Sequence, residues 1–319
     1  MKSALLIVTV IFAAILVGGY LFWPKSEEVP PPLNSGPTSQ PAGAGNLLRL
    51  GLVPEHDVFA LKRSYKGMEK YLGEKLGRPV EFVTLSTYEA VLADFKERQI
   101  DGAFLGSLVA LIAIDRYGAQ VIAKPEQPDG VSTYRGIIFV RENSPVKSLD
   151  DLGGRSIGML RATYAGSLFP LAELAKRNLL QGSSAPKMVW MGTHDEVIDA
   201  VVSGRVEVGA VKDLRLAAYE KRQPDVKLRR LATSKPVPNN ALVLRGDVAE
   251  QLGRQIAEIL RIMENEPEGR GALSGIGAKR FIACRRDEYD AILEMAEPLG
   301  SAWTLVGVNG QAPKRPESQ

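Results

Sequence analysis

The residues best suited to chemistry in this sequence lie between Ser156 and Leu174, and the chemistry they suit is the holding of an anion. Ile157 to Leu160 is a short apolar run that fits a buried strand. Ala162 to Ser167 is small and polar, and from Leu168 the apolar residues recur at Leu171, Ala172 and Ala175, which is helical spacing. Strand, tight loop and helix in that order bare N–H groups at the helix start, where the helix dipole also favours negative charge. Thr163, Tyr164 and Ser167 can add hydroxyl donors, Ala165 keeps the loop small, and Gly166 lets a ligand come close to the backbone. The same residues also fit a plain strand-to-helix turn with Thr163 or Ser167 as its N-cap.

Bond-making chemistry finds no comparable support. The chain has no nucleophile elbow, phosphate-binding P-loop, dinucleotide fingerprint or HExxH zinc motif. Asp150-Asp151 follows Ser148 and reads as helix capping on a solvated surface. The single cysteine, Cys284, excludes an internal disulfide framework and a cysteine-based zinc site, and the two histidines, His56 and His194, are far apart. Asp195 and Glu196 follow His194 directly, so on a helix they point elsewhere. The sequence therefore calls for no enzyme, no metal and no cofactor. A net charge of +3 with scattered Lys and Arg gives no footprint for nucleic acid.

The elements that must position the loop follow from the pattern. After Lys2, an uncharged run from Ser3 to Trp23 is long enough to span a bilayer and exceeds the usual apolar core of a cleaved signal peptide. Residues 1–25 are expected to be an uncleaved transmembrane anchor, with a signal sequence as the alternative. Residues 26–46, rich in Pro, Gly and Ser, form a linker. Beyond them apolar strand-like runs alternate with helical spacing: Leu47–Pro54, Val80–Leu85 and Ile100–Leu105 are strands, while Leu61–Leu76, Thr87–Lys96 and Leu108–Tyr117 are helices. The alternation continues through Met188–Met191, His194–Ser203, Val206–Val211 and Leu214–Arg222, implying βαβ units and largely parallel sheets.

Three segments in order, Tyr134-Arg-Gly-Ile-Ile-Phe-Val with Leu149-Asp-Asp-Leu-Gly-Gly, the central loop, and Gly192-Thr-His-Asp-Glu with Val206-Glu-Val-Gly-Ala-Val, resemble the phosphate/phosphite/phosphonate-binding periplasmic proteins of ABC transporters. The resemblance covers residues 48–293 and implies an α/β, two-lobed type II periplasmic binding protein clamshell. Each lobe would be a mostly parallel sheet flanked by helices, preceded here by the transmembrane helix. Lobe 1 is expected over 47–135 and 236–300, lobe 2 over 136–235, and a C-terminal tail over 301–319. The resemblance implies that Thr163 to Ser167 and His194 hold the oxyanion and that Tyr88 lines the cleft. Each has a plainer reading: an exposed helix start for His194 and core packing for Tyr88. Tyr134 and Arg135 sit at the expected hinge, Arg135 either as an anion-binding fork or as a surface cation.

Departures from the family pattern bear on the ligand. Leu105 stands where the family often has an aromatic hydroxyl, and Ala165 where it usually has serine. The carboxylates that hold a ligand amine in aminoalkylphosphonate binders fall near residues 212–214 and at 240. Here Asp213 is a candidate and Asn240 carries no charge. Two roles fit: a membrane-tethered periplasmic protein that captures an oxyanion for an ABC permease, or a sensory module of the same fold signalling to a membrane kinase or cyclase. Either places the soluble part outside the cytoplasm, held at the inner membrane by the N-terminal helix.

Overall fold

Short apolar runs supply the central strands of two sheets. The structure, a computed structural model, describes residues 47–53, 58–87 and 90–313. The expected anchor and linker lie outside the described residues, and among the described residues no helix is long and apolar enough to cross a membrane.

In chain order the first elements are β1 (Leu48–Leu52), α1 (Val58–Leu76), β2 (Val80–Thr84), α2 (Ala90–Lys96), β3 (Gly102–Leu105), α3 (Ser107–Tyr117) and β4 (Gln120–Glu126). Then follow β5 (Thr133–Tyr134), β6 (Gly136–Arg141), β7 (Ser156–Leu160), α4 (Phe169–Ala175), β8 (Lys187–Met191), α5 (His194–Val202), β9 (Val208–Lys212), α6 (Asp213–Arg222) and β10 (Leu228–Thr233). The chain ends with β11 (Val237–Pro238), β12 (Ala241–Leu244), α7 (Glu250–Ile262), α8 (Pro267–Gly275), β13 (Arg280–Ile282), α9 (Asp290–Ala296) and a 3-10 segment over Glu297–Val306.

One sheet runs β13-β4-β12-β3-β1-β2 and the other β10-β6-β9-β7-β8. The expectation of mostly parallel sheets needs correcting. β1 pairs in parallel with β2 and β3, and β7 with β8 and β9. But β12 runs antiparallel to both β3 and β4, β13 antiparallel to β4, and β6 antiparallel to β9 and β10. The cause is topological. A strand that enters a sheet from the other lobe, as β6 and β12 do, arrives against the direction set by the βαβ units.

Burial explains the strands. Leu48, Leu50 and Leu52 are buried while Arg49 between them is exposed. In the first sheet an aromatic cluster ties helix to sheet, with Tyr65 of α1 at 5.2 Å from Phe82 and 5.4 Å from Phe104, ring centre to ring centre. In the second, Ile137 to Val140, Ile157, Met159 and Val208 are all buried, as a sheet covered on both faces requires.

The chain crosses between the sheets twice, and the crossings zip together. β5 pairs with β11, Tyr134 opposite Val237. Ser234 N–H donates to Gly136 O, and Asn239 N–H to Ser132 O, each at 2.9 Å. Arg135 lies here too, its guanidinium donating to Ser234 O at 2.8 Å, so it serves the crossing.

Within the expected tail, the described residues 301–313 pack against the body of the protein. Trp303 and Val306 are buried. Val306 O accepts Ala162 N–H at 2.7 Å, and the Arg116 guanidinium of α3 donates to Asn309 O and Gln311 O. This last stretch therefore straps the first sheet's α3 to the loop that follows β7 in the second. The sequence pattern also passed over α8 and β13, where Gly269, Gly271, Gly275 and Gly277 dilute the helical signal.

Candidate functional site

The loop after β7 has the expected form, strand then turn then helix, but its polar groups are turned inward. Its first turn, Tyr164–Leu168, is π-helical, with Phe169 N–H donating to Tyr164 O. Thr163 is the N-cap, and its Oγ1 accepts Gly166 N–H at 3.0 Å. Ser167 Oγ donates to Thr163 O at 2.7 Å and accepts Thr163 N–H at 3.2 Å. The Tyr164 hydroxyl donates to Lys235 O at 3.2 Å, and burial pushes its pKa up. Tyr164 and Ser167 thus spend their hydroxyl protons on the turn and its surroundings, while Thr163 Oγ1 serves as the capping acceptor.

Gly166 has a packing role. A Cβ there would lie 2.7 Å from Leu160 Cδ1 and 2.7 Å from Thr163 Oγ1. The packing of the turn onto its own strand is by itself enough to require glycine here. Ala165 also faces protein, its Cα 3.2 Å from where a Cβ on Gly136 would stand. The Asp150-Asp151 pair is capping, as expected: the backbone N–H groups of Lys147 and Ser148 hold the Asp151 carboxyl below its usual range.

His194 opens α5 behind Thr193, which forms a capping box with Glu196. It is buried, so the exposed helix start is overturned. Its Nδ1 accepts Lys212 N–H at 3.4 Å, which leaves Nε2 to carry the ring proton.

Lys212, which the sequence reading did not single out, is the hub of the polar cluster. It closes the apolar strand Val208–Val211 and is 4% exposed. Its Nζ donates to Asn239 Oδ1 at 2.7 Å and Asn240 Oδ1 at 3.3 Å, and lies 4.4 Å from the centre of the Tyr134 ring. Tyr134 is buried, with the Tyr164 ring edge-on at 6.2 Å. Ser107 Oγ is 3.0 Å from the Tyr134 hydroxyl and 2.7 Å from Pro238 O. A serine has one proton, which the carbonyl takes, so the tyrosine hydroxyl donates back to Ser107. The available signal for Lys212 was a charge ending a fully apolar strand just before a helix.

Of the expected site residues, Tyr134 and Asn240 meet at Lys212, His194 joins through its ring Nδ1, which accepts the Lys212 backbone N–H, and the Thr163–Ser167 turn packs on β6 and β9 behind them. Asp213 is spent differently: its carboxylate accepts Leu214 N–H at 2.8 Å at the start of α6. Tyr88 lies outside the described residues. Beside the cluster is a cavity of about 410 Å³. Leu61, Ser64 and Tyr65 from the first lobe and Lys212, Leu214 and Arg215 from the second line it, with Asn239 and Asn240 at the crossing.

A cavity between two sheets joined by a double crossing is the architecture of a ligand-binding clamshell. Residues 50–289 match the model of the family described as ABC transporter, phosphonate, periplasmic substrate-binding protein. The chain belongs to this family. Its members are the substrate-binding components of transporters, so this phosphonate-family protein is not an enzyme, and membership places its globular part outside the cytoplasm. It is 24% identical over 244 residues to the phosphonates-binding periplasmic protein of Escherichia coli, covering 74% of this chain and 72% of that one. It is 23% identical over 271 residues to a probable phosphite-binding ABC transporter protein of Prochlorococcus marinus, covering 79% and 90%. A solved structure of that Prochlorococcus marinus protein with methylphosphonate superposes with a TM-score of 0.69 at 20% identity, over 80% of this chain and 98% of that one. The likeness in structure carries the fold.

Proposed function

We propose that this protein captures a small oxyanion, a phosphate, phosphite or phosphonate, in the interlobe cavity and presents it to an ABC permease. The two lobes, residues 47–135 with 236–300 and residues 136–235, close on the ligand about the crossings at Tyr134 and Pro236. The observation that carries the reading is the buried donor cluster of Lys212, Tyr134 and Asn239 where the crossings meet the cavity. A fixed ammonium beside amide groups is suited to an oxyanion. The relatives that bind phosphonates or phosphite support the ligand class.

A thermal-shift screen of the full chain against phosphate, phosphite and methylphosphonate tests it. A ligand at 100 times its dissociation constant adds about 2.7 kcal/mol of stability. A flat response to all of them overturns the reading.

The same proposal keeps residues 1–25 as an inner-membrane anchor. Amino-terminal sequencing of the native protein is expected to find them in place, and a mature chain starting near Ala42 overturns that part alone. The second reading, a sensory module that signals to a membrane kinase or cyclase, is favoured by the altered pocket: Leu105 is fully buried and offers no hydroxyl. A permease and ATPase encoded beside this protein favour import; a kinase or cyclase favours sensing.

A further inference from the structure

The C-terminal stretch touches both lobes, and it passes between them over a very short length of chain. After β13 the chain turns at Arg286–Tyr289 and lays α9 and the 3-10 segment Glu297–Val306 along α4 of the second lobe. Leu299, Trp303 and Val306 are buried, and Val306 O is tied to Ala162 N–H. Gly307 then bends the chain back, with φ at 87°, so close to Arg161 that an added Cβ would stand 2.7 Å from the Cβ of that arginine. Asn309 and Gln311 return to the first lobe, where both carbonyls accept from Arg116 at the end of α3. The neighbouring Asp115 holds the start of the stretch, pairing with Arg286 at 3.0 and 3.3 Å. The end of α3 therefore grips both the entry and the exit of a segment whose middle is fixed to the other lobe.

The clamp has a direction. Only Gly307 and Val308 separate Val306, tied to the second lobe, from Asn309, tied to the first. Each residue spans at most ~3.3–3.6 Å, so the reach between the two ties is roughly 10 Å and leaves little slack. Among the described residues, none of 286–313 lines the interlobe cavity. The strap instead meets the crossing itself, where β11 packs on the turn Arg286–Tyr289. Lobes that approach each other on the cavity side of a hinge draw apart on the far side, so closing the cleft stretches the link. Closing remains to be done: a cavity of about 410 Å³ is of the size that holds a drug-sized molecule, far larger than phosphate or methylphosphonate.

We propose that Arg116 and the link over residues 306–309 form a rear latch, a strap that opposes closure of the cleft and thereby sets how tightly the lobes hold their ligand. The inference rests on the clamshell reading above and adds what resists the closing. When the binding-competent state is only partly populated, apparent affinity falls by that fraction, so releasing the latch raises affinity without touching the cavity.

Two alterations release it differently. Arg116→Ala removes the grip, while two glycines inserted between Val308 and Asn309 keep both ties and add slack. The first readout needs no ligand: spin labels on Lys62→Cys and Lys221→Cys report the distance between α1 and α6, which line the cavity from opposite lobes. Both positions are exposed, and the one native thiol, Cys284, is buried. Pulsed electron resonance on the full chain in mild detergent is expected to show a shorter distance in both altered forms. Calorimetric titration with methylphosphonate and with phosphate is expected to show binding at least about threefold tighter. Should the alanine form fail to fold, the insertion carries the test. An unchanged distance and affinity overturn the latch, as do a longer distance with weaker binding, or a shift in Arg116→Ala that the insertion does not reproduce. Failure of the unaltered protein to bind either anion takes down the oxyanion reading, while a shortened distance in that case leaves the latch standing.

Discussion

Replacing Gly166 by valine is expected to lower the stability of the folded protein by at least about 2 kcal/mol, within the range for overpacking a well-filled site. The added Cβ would stand 2.7 Å from both Leu160 Cδ1 and Thr163 Oγ1, and 2.8 Å from Leu160 Cβ. Two of the three obstacles belong to the strand that the turn grows from, so relief requires parting β7 from its own helix. The third is the capping hydroxyl, whose displacement also frees Gly166 N–H from its acceptor. At roughly 2–4 °C per kcal/mol for a chain near this size, the melting temperature should drop by roughly 4–8 °C. Calorimetric melting in the absence of ligand decides the point. An unchanged melting temperature with lost oxyanion binding would return Gly166 to a ligand-facing role.

Truncating Trp303 should cost more. Its side chain is buried in the C-terminal strap, and Trp→Ala changes at such sites cost about 3–5 kcal/mol. That corresponds to a melting temperature lower by roughly 6–20 °C. Trp303→Phe is the informative contrast. The indole N–H is buried and has no acceptor among the described residues, so a residue without that donor gives up ring volume but relieves an unmet polar group. The phenylalanine form should recover most of the alanine loss. A phenylalanine form as unstable as the alanine form would mean that the N–H is paired in solution.

How far the sequence could be read depended on the kind of contact involved. Apolar runs such as Ile157–Leu160 and Val208–Val211 announce strands because burial on two faces demands uninterrupted apolar residues. The capping boxes at Ser148 and Thr193 are legible for a similar reason: donor and acceptor sit three residues apart in the same segment. The direction of β6 and β12 was not legible, since a strand carries no local mark of whether its neighbour runs with it or against it. Gly166 was read as a place for a ligand because glycine is chosen for close approach of any kind, and the sequence does not say what approaches. Lys212 escaped because its partners, Asn239 and Asn240, lie beyond an intervening helix and strand, and only the closing of the two crossings brings them together. Asp213, the more obvious candidate beside it, faces the other way because a carboxylate at the start of a helix is drawn to the bare N–H groups there.

The placement of β12 has a consequence for how the protein is made. β12 lies between β3 and β4, and those two strands do not pair with each other. Until residue 244 has been added, β4 therefore has no neighbour on that side, and β3 presents a bare edge. The second sheet, β6 to β10, is drawn from one continuous stretch of chain and needs nothing that comes later to complete its pairing. During synthesis, assembly can then run from the middle outward. The second lobe can form while the first stands open, and the first closes only when the returning chain slides a strand into the gap. A chain cut short after β10 would carry two facing edges of buried-type residues, Ala103 and Phe104 on one and Ala123 on the other, with nothing to fill the space between them. Such a fragment is a template for pairing with its own copies, so the last third of the sequence guards the first against aggregation.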